Sequence, residues 1–159
     1  MRSVALVLSA LTTLLVLSFA AAAPVAQAAG PRIDGGERAM MRAINRARAS
    51  HGLRALYAGR RLGRAADAHT RSMLRLNVLA HGAFATRLRR YVRARHIGET
   101  IAMSSRCSAR RIVRMWLNSP PHRAVLLSGG FRRVGIGRRV GSLGSGRACV
   151  VTADFASRH

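Results

Sequence analysis

The chain has 159 residues, of which 28 are basic and 5 are acidic, so its formal charge is +23. Every basic residue is arginine, and 49% of the residues are hydrophobic, which excludes a disordered basic tail. Two cysteines are too few for a disulfide-dense miniprotein or a four-thiolate zinc or iron–sulfur site. Length and composition therefore predict one compact, strongly cationic domain.

The N-terminus resembles a leader for export. Arg2 precedes a largely apolar stretch from Val4 to Ala23, and the small residues of Ala26-Gln27-Ala28 follow. This order is typical of a secretory signal peptide and predicts cleavage after Ala28. An uncleaved anchor is the alternative, because about 20 apolar residues can span a bilayer. We assign residues 1–28 to the signal peptide, 29–38 to a short linker and 39–156 to the domain, and expect a secreted protein.

Three segments of the mature chain have apolar residues at helical spacing. They predict helices over about 34–50, 60–77 and 108–118, the last ended by Pro120 and Pro121. One more helical turn is expected at 122–127. Residues 131–136 and 148–155 read as strands around a glycine-rich turn. Helices followed by a hairpin predict an α+β fold.

The cysteines and two helical side chains have structural interpretations. Outside the cytoplasm Cys107 and Cys149 are expected to form a disulfide, with a catalytic thiol as the alternative. Trp116 is expected in the core. His69, on the apolar face of the second helix, is expected to be packed and hydrogen-bonded rather than a ligand.

Three residues in loops are the candidates for chemistry: His81, Glu99 and His122. Two imidazoles and a carboxylate can supply three ligands to Zn²⁺ or another divalent metal and leave a position for water. Alternatively, Glu99 orients one histidine while the other acts as acid or base, which makes Glu99 the one candidate catalytic residue. On this spacing alone, surface histidines and an arginine-paired glutamate are the favoured interpretation. A two-carboxylate glycosidase is disfavoured, because the five acidic residues stand in unrelated contexts.

Short blocks spread from about Met40 to Phe155 resemble the CAP superfamily. That superfamily comprises the cysteine-rich secretory, antigen 5 and pathogenesis-related proteins, and the blocks are most similar to its bacterial exported branch. They are Asn45-x-x-Arg48, His51-Gly52-Leu53, Ala80-His81, Gly98-Glu99-Thr100-Ile101, Trp116-Leu117-Asn118-Ser119-Pro120-Pro121-His122-Arg123, Phe131-Arg132-Arg133-Val134-Gly135-Ile136-Gly137 and Thr152-Ala153-Asp154-Phe155.

The resemblance implies a three-layer α-β-α sandwich with a small antiparallel sheet and a central cleft. It places His81, Glu99 and His122 in that cleft. The second glutamate of the family's fuller form falls near Ser119 here, and Thr100 stands where the family usually has asparagine. Ser119 is therefore a secondary cleft candidate, and so is His96, which precedes Gly98-Glu99.

Three functions remain in competition. The first is a non-enzymatic exported binding module whose cleft holds a divalent metal or a small ligand, and we favour it. The second is a metal-dependent, peptidase-like hydrolase. The third is a binder of anionic envelope polymers, lipids or glycans through Arg87, Arg89, Arg90 and Arg93. Nucleic acid is disfavoured as a partner, because Tyr91 is the single aromatic residue among these arginines.

Overall fold

The computed structural model describes residues 34–158, which form five helices and four strands. The helices are α1 (Gly35–Ala49), α2 (Arg60–Leu76), α3 (Phe84–Arg89), α4 (Ala109–Asn118) and α5 (Pro120–Leu126). The strands are β1 (Tyr57–Ala58), β2 (Ile97–Ser104), β3 (Arg133–Leu143) and β4 (Gly146–Ala156). The signal peptide assigned to residues 1–28 lies outside the described residues. Residues 35–38 of the assigned linker form the first turn of α1.

The helix boundaries follow from local capping. Asp34 and Glu37 form a reciprocal capping box at the start of α1, and Ser108 caps α4 through a bond from the backbone N–H of Arg111. Pro120 and Pro121 occupy the first turn of α5, where the missing backbone N–H costs no hydrogen bond. The three predicted long helices are confirmed within two residues at each end.

The four strands form one sheet in the order β1-β3-β4-β2. Strands β3 and β4 make a long antiparallel hairpin, and β2 pairs antiparallel with the other side of β4, with Glu99 opposite Asp154. The two-residue β1 adds a short parallel pairing to β3. Strand β2 is therefore an edge strand. Sequence reasoning did not predict β1, β2 or α3.

One face of the sheet carries the main apolar core. Alternate residues of β4 pack there against α1, α4 and α5, and Trp116 is fully buried among them. Its indole N–H donates to the carbonyl of Ile101 at 2.9 Å, which ties α4 to β2. The predicted disulfide is confirmed and lies on the same face, with the Cα atoms of Cys107 and Cys149 5.3 Å apart.

The other face is covered by α2 and α3, and two glycines allow α2 to approach closely. A Cβ at Gly135 would overlap the backbone of Leu62 and Gly63, and one at Gly137 would overlap the backbone of Ala66. Because neither glycine has a side chain, α2 lies directly on β3. The predicted α-β-α sandwich is therefore confirmed. No helix within residues 34–158 is long and apolar enough to cross a membrane.

Candidate functional site

Glu99 is the centre of a polar cluster between β2 and the α2–α3 layer. Its side chain has no exposed surface. Nδ1 of His81 donates to Oε1 of Glu99 at 2.8 Å, and a guanidinium N–H of Arg87 donates to Oε2. Nε2 of His69 lies 3.7 Å from Oε2. A carboxylate this deeply buried requires such partners, because an unpaired buried charge is strongly unfavourable.

Three separate elements supply these partners. His69 projects from α2, His81 lies in the loop that follows, and Arg87 lies on α3. Both flanking helices hold the middle of the loop: Nε2 of His69 on α2 donates to the carbonyl of Ala80 at 3.0 Å, and Arg87 on α3 donates to the carbonyl of His81 at 3.2 Å. The expectation that His69 is packed and hydrogen-bonded is confirmed. Its proximity to Glu99 was not foreseen.

Asp154 is a second buried carboxyl group in the cluster. It stands opposite Glu99 across the β2–β4 ladder, and its Oδ1 lies 3.7 Å from Arg87 Nη2. Within residues 34–158 neither of its carboxyl oxygens has a hydrogen-bond partner. Burial, and secondarily the negative charge of Glu99, raises the pKa of Asp154 well above its usual range. The expectation that the acidic residues stand in unrelated contexts is wrong, because strand pairing brings these two together.

His122 reaches the cluster from the opposite layer. It lies on α5, which packs on the other face of the sheet, and β2 is the edge strand between the two layers. The ring centroids of His81 and His122 are 5.8 Å apart. Burial, and then the neighbouring His81, lowers the pKa of His122, which favours the neutral imidazole.

The structure thus brings His81, Glu99 and His122 together, with His81 in the middle. His81 and His122 fit two ligands of a divalent cation, since Nδ1 of His81 is held by Glu99 and Nε2 keeps its lone pair. Glu99 does not fit a third ligand, because His81 and Arg87 occupy its oxygens. Within residues 34–158 no group of three His, Cys, Asp or Glu side chains is arranged to hold a metal.

A cavity of about 370 Å³ opens beside this cluster. His69, His81 and Arg87 form its polar wall, and Met73 and Leu76 contribute to its apolar wall. Burial lowers the pKa of His69 despite the nearby Glu99, so a neutral imidazole is favoured at this wall. The cavity therefore offers both polar groups and apolar surface to a ligand.

The remaining candidates lie elsewhere. Ser119 links α4 and α5 as a shared cap residue. His96 lines a separate cavity with Arg132 and Ser157. Arg87 turns inward to Glu99, whereas its three companions in the predicted anion-binding set are exposed: Arg89, Arg90 and Arg93.

Sequence reasoning missed Asp154 and the inward position of Arg87 as parts of the site. One signal for Asp154 was present: it is the only charged residue in the apolar run from Ala148 to Ala156. Charged residues in buried strands are rare unless they are paired. Nothing in the spacing of Arg87 distinguishes it from the neighbouring arginines.

Comparison with known proteins supports the same architecture. The family model described as the cysteine-rich secretory protein family, CAP, matches residues 41–155. A search of curated proteins finds no significant match.

Solved structures show the same fold. An extracellular SCP-domain protein of Bacillus anthracis superposes with a TM-score of 0.66 at 25% identity, over 78% of this chain and 41% of that one. An outer surface protein of Borrelia burgdorferi gives 0.64 at 20% identity, over 82% of this chain and 100% of that one. A cysteine-rich secretory protein of Staphylococcus aureus gives 0.61 at 16% identity, over 85% of this chain and 41% of that one. The chain thus spans less than half of the Bacillus and Staphylococcus chains.

Proposed function

Because the chain belongs to the cysteine-rich secretory protein (CAP) family, we propose that it is a non-enzymatic exported binding module whose cleft binds a divalent cation through His81 and His122. The observation that carries the proposal is the pairing of the two imidazoles at the β2 edge, with ring centroids 5.8 Å apart. Zn²⁺ is the natural probe, because neutral imidazole is among its preferred ligands.

Glu99 has an orienting role in this proposal. A metal-binding histidine commonly donates its other N–H to a carboxylate, which fixes the tautomer and the ring orientation. Nδ1 of His81 makes such a bond to Glu99, and this leaves Nε2 with a free lone pair. The side chain of His81 is 43% exposed, so a cation can reach it from solvent.

A hydrolase, the alternative, receives less support from the geometry. A general base must reach the water that it deprotonates. The Glu99 carboxylate has no exposed surface, and its oxygens are held by His81 and Arg87. Hydrolysis of a panel of peptides and esters tests this alternative. If turnover is observed, and if it disappears with a chelator and in Glu99→Gln, the hydrolase would be favoured over the binding module.

Calorimetric titration with Zn²⁺ tests the cation site. We expect one ion per chain, affinity reduced at least about 10-fold in His81→Ala and in His122→Ala, and a loss of about 10- to 100-fold in Glu99→Gln. His96→Ala is the matched control, since His96 lines a different cavity. Equal affinity in the wild type and both cleft variants would overturn the cation site.

Export is the second part of the proposal. It is supported by the leader-like sequence of residues 1–28, by the disulfide, and by relatives described as extracellular or as an outer surface protein. Fractionation followed by N-terminal sequencing of the mature protein tests it. We expect protein outside the cytoplasm that begins at Ala29; a cytoplasmic protein with an intact Met1 would contradict export.

A further inference from the structure

The outer surface of α1 and α4 carries two rows of exposed arginines. Arg38, Arg42 and Arg46 recur every four residues along α1 and form a single exposed stripe. Helix α4 contacts α1 and adds three more exposed arginines: Arg110, Arg111 and Arg114. None of the six makes an ion pair with a carboxylate in the described part of the chain.

The distribution of the acidic residues explains why these arginines are unpaired. Glu99 and Asp154 are buried with Arg87, and Asp67 pairs with Arg71 and Arg139. The other two carboxylates, Asp34 and Glu37, cap the N-terminus of α1. Asp34 also forms an ion pair with Arg138, so the described ion pairs of the five acidic residues involve none of the arginines on α1 and α4. The positive charge of these arginines is therefore not neutralised by ion pairs within residues 34–158.

A groove of about 310 Å³, which we call the arginine groove, lies between the two helices. It is bordered by one end of the α1 row and by two members of the α4 row. Its charged walls are Arg46 from α1 and Arg110 and Arg114 from α4. Its floor is apolar or small, and consists of Ala43, Ala47, Val113 and Leu117. On α1 the stripe continues from Arg46 to Arg38, which corresponds to about 12 Å along the helix axis.

We infer that the arginine groove binds a linear phosphate polymer. Guanidinium groups bind phosphate oxygens through two parallel hydrogen bonds, and they stay charged at any physiological pH. Positive groups on both walls of a groove surround a chain of anions that runs along it. Arg42 and Arg38 continue the stripe beyond Arg46 and can contact further phosphates of the same chain. A polymer therefore gains affinity from several linked contacts, which a single phosphate ion cannot make.

Two other anionic partners fit this surface less well. Insertion into a membrane surface needs large apolar side chains beside the cations, and Met115 is the one exposed large hydrophobic residue on α1 or α4. Single-stranded nucleic acid is held by aromatic side chains that stack on its bases. Among residues 34–158, no aromatic side chain lines the groove.

Binding of fluorescently labelled inorganic polyphosphate tests the inference. The protein and its Arg46→Gln/Arg110→Gln/Arg114→Gln variant are compared by anisotropy over a range of salt concentrations. We expect the variant to lose at least about 10-fold in affinity at moderate salt. We also expect its slope of log affinity against log salt to fall by about 2 to 3, because three phosphate contacts are removed.

The control variant removes the same charge elsewhere, at arginines that belong to no candidate site: Arg61→Gln/Arg75→Gln/Arg147→Gln. These arginines are exposed and outside the groove, so this variant is expected to lose less than about 3-fold. Equal losses in both triple variants would overturn the groove in favour of net charge alone. Orthophosphate is the competitor that tests the need for a polymer. If it displaces labelled polyphosphate as well as unlabelled polyphosphate does at the same total phosphate concentration, the inference that the ligand is a polymer is overturned.

Two further ligands distinguish the other partner classes. An oligothymidylate of equal charge that binds more tightly than polyphosphate would overturn the inference in favour of nucleic acid. Phosphatidylserine vesicles test a membrane as the partner. If they displace polyphosphate, and if the groove variant no longer binds them, the inference is overturned in favour of a membrane. Weak binding of both, with polyphosphate bound by the wild type, is the expected result.

Discussion

The two faces of the sheet are stabilised by different chemistry. On the α1–α4 face, apolar side chains from β4 and the helices form the core, and the Cys107–Cys149 disulfide links the segment before α4 to β4. On the α2–α3 face, a buried cluster of Glu99, Asp154 and Arg87 joins β2, β4 and α3. The α1–α4 face is held by the main apolar core and a covalent bond. The α2–α3 face has two smaller apolar clusters, one around Met73 and Val150 and one around Leu62 and Leu88, and adds a buried cluster of ion pairs.

Within residues 34–158 both helical layers carry exposed arginines without ion pairs, for example Arg42 on α1 and Arg61 on α2. The layers differ inside, because two of the five carboxylates are buried under the α2–α3 layer. Carboxylates buried with Arg87 cannot neutralise the surface. The protein has few carboxylates, so most of its arginines cannot be neutralised. The positions of the five carboxylates therefore determine where positive charge stays exposed.

Removing the disulfide should have the largest effect. The double variant Cys107→Ala/Cys149→Ala is expected to lose about 4 kcal/mol of unfolding free energy, because the bridge restricts the unfolded chain over a long loop. The cysteines are 42 positions apart. Urea unfolding measures the loss, and its dependence on pH should match that of the wild type. A loss below about 1 kcal/mol would contradict a stabilising role for the bridge.

Removing the cation of the opposite face should cost somewhat less. Arg87→Met leaves Glu99 and Asp154 buried without their positive partner, and we expect a loss of about 3 kcal/mol. This loss is the lower end of the range of about 3 to 5 kcal/mol that follows from removing one partner of a buried ion pair. The lower end applies because the Arg87 side chain is 20% exposed. Arg89→Met on the same helix is the control and should stay within about 0.5 kcal/mol. Equal stability of the two variants in urea unfolding would refute the role assigned to Arg87.

The contact between α2 and β3 can be changed without altering any charge. Gly135→Ala places a methyl group against the α2 backbone, and we expect a loss of about 2 to 3 kcal/mol. Gly63→Ala, on α2, meets nothing within 4 Å and should gain about 0.5 to 1 kcal/mol from helix propensity. The two melting temperatures should therefore move in opposite directions, and a shared direction would contradict the packing described here.

The smallest expected effect is a change in the pH dependence of stability. The pKa of Asp154 is raised in the folded protein, so the native state binds this proton more tightly than the unfolded chain does. The stabilisation that this proton provides should therefore be lost as pH rises above about 4, the usual range of aspartate. Asp154→Asn lacks this contribution, so the wild type should lose stability relative to Asp154→Asn as pH rises. Chemical unfolding between pH 4 and 8 measures it, with Asp67→Asn as the surface control, and parallel wild-type and Asp154→Asn curves would disprove the assignment.

Much of the fold could be predicted because its signals are local. The long helices follow from apolar spacing and caps, and the disulfide follows from an even number of cysteines in a chain with a leader-like start. Strand β2 was missed, because Glu99 and Thr100 interrupt its apolar pattern although both are buried. His81, Glu99 and His122 were singled out by residue type and expected loop position, and the family blocks then placed them in one cleft. The loop position is wrong for Glu99, which lies on β2, and for His122, which lies on α5.

Composition and short-range pattern are enough to predict the charge, the main helices, the hairpin and the family resemblance. Which charges are neutralised depends instead on the folded arrangement. Pairing of β2 with β4 sets Asp154 opposite Glu99, packing of α3 turns Arg87 inward, and contact between α1 and α4 aligns the arginines of the groove. These are contacts between residues far apart in the chain, and their energies depend on burial and distance, which exist only in the folded protein.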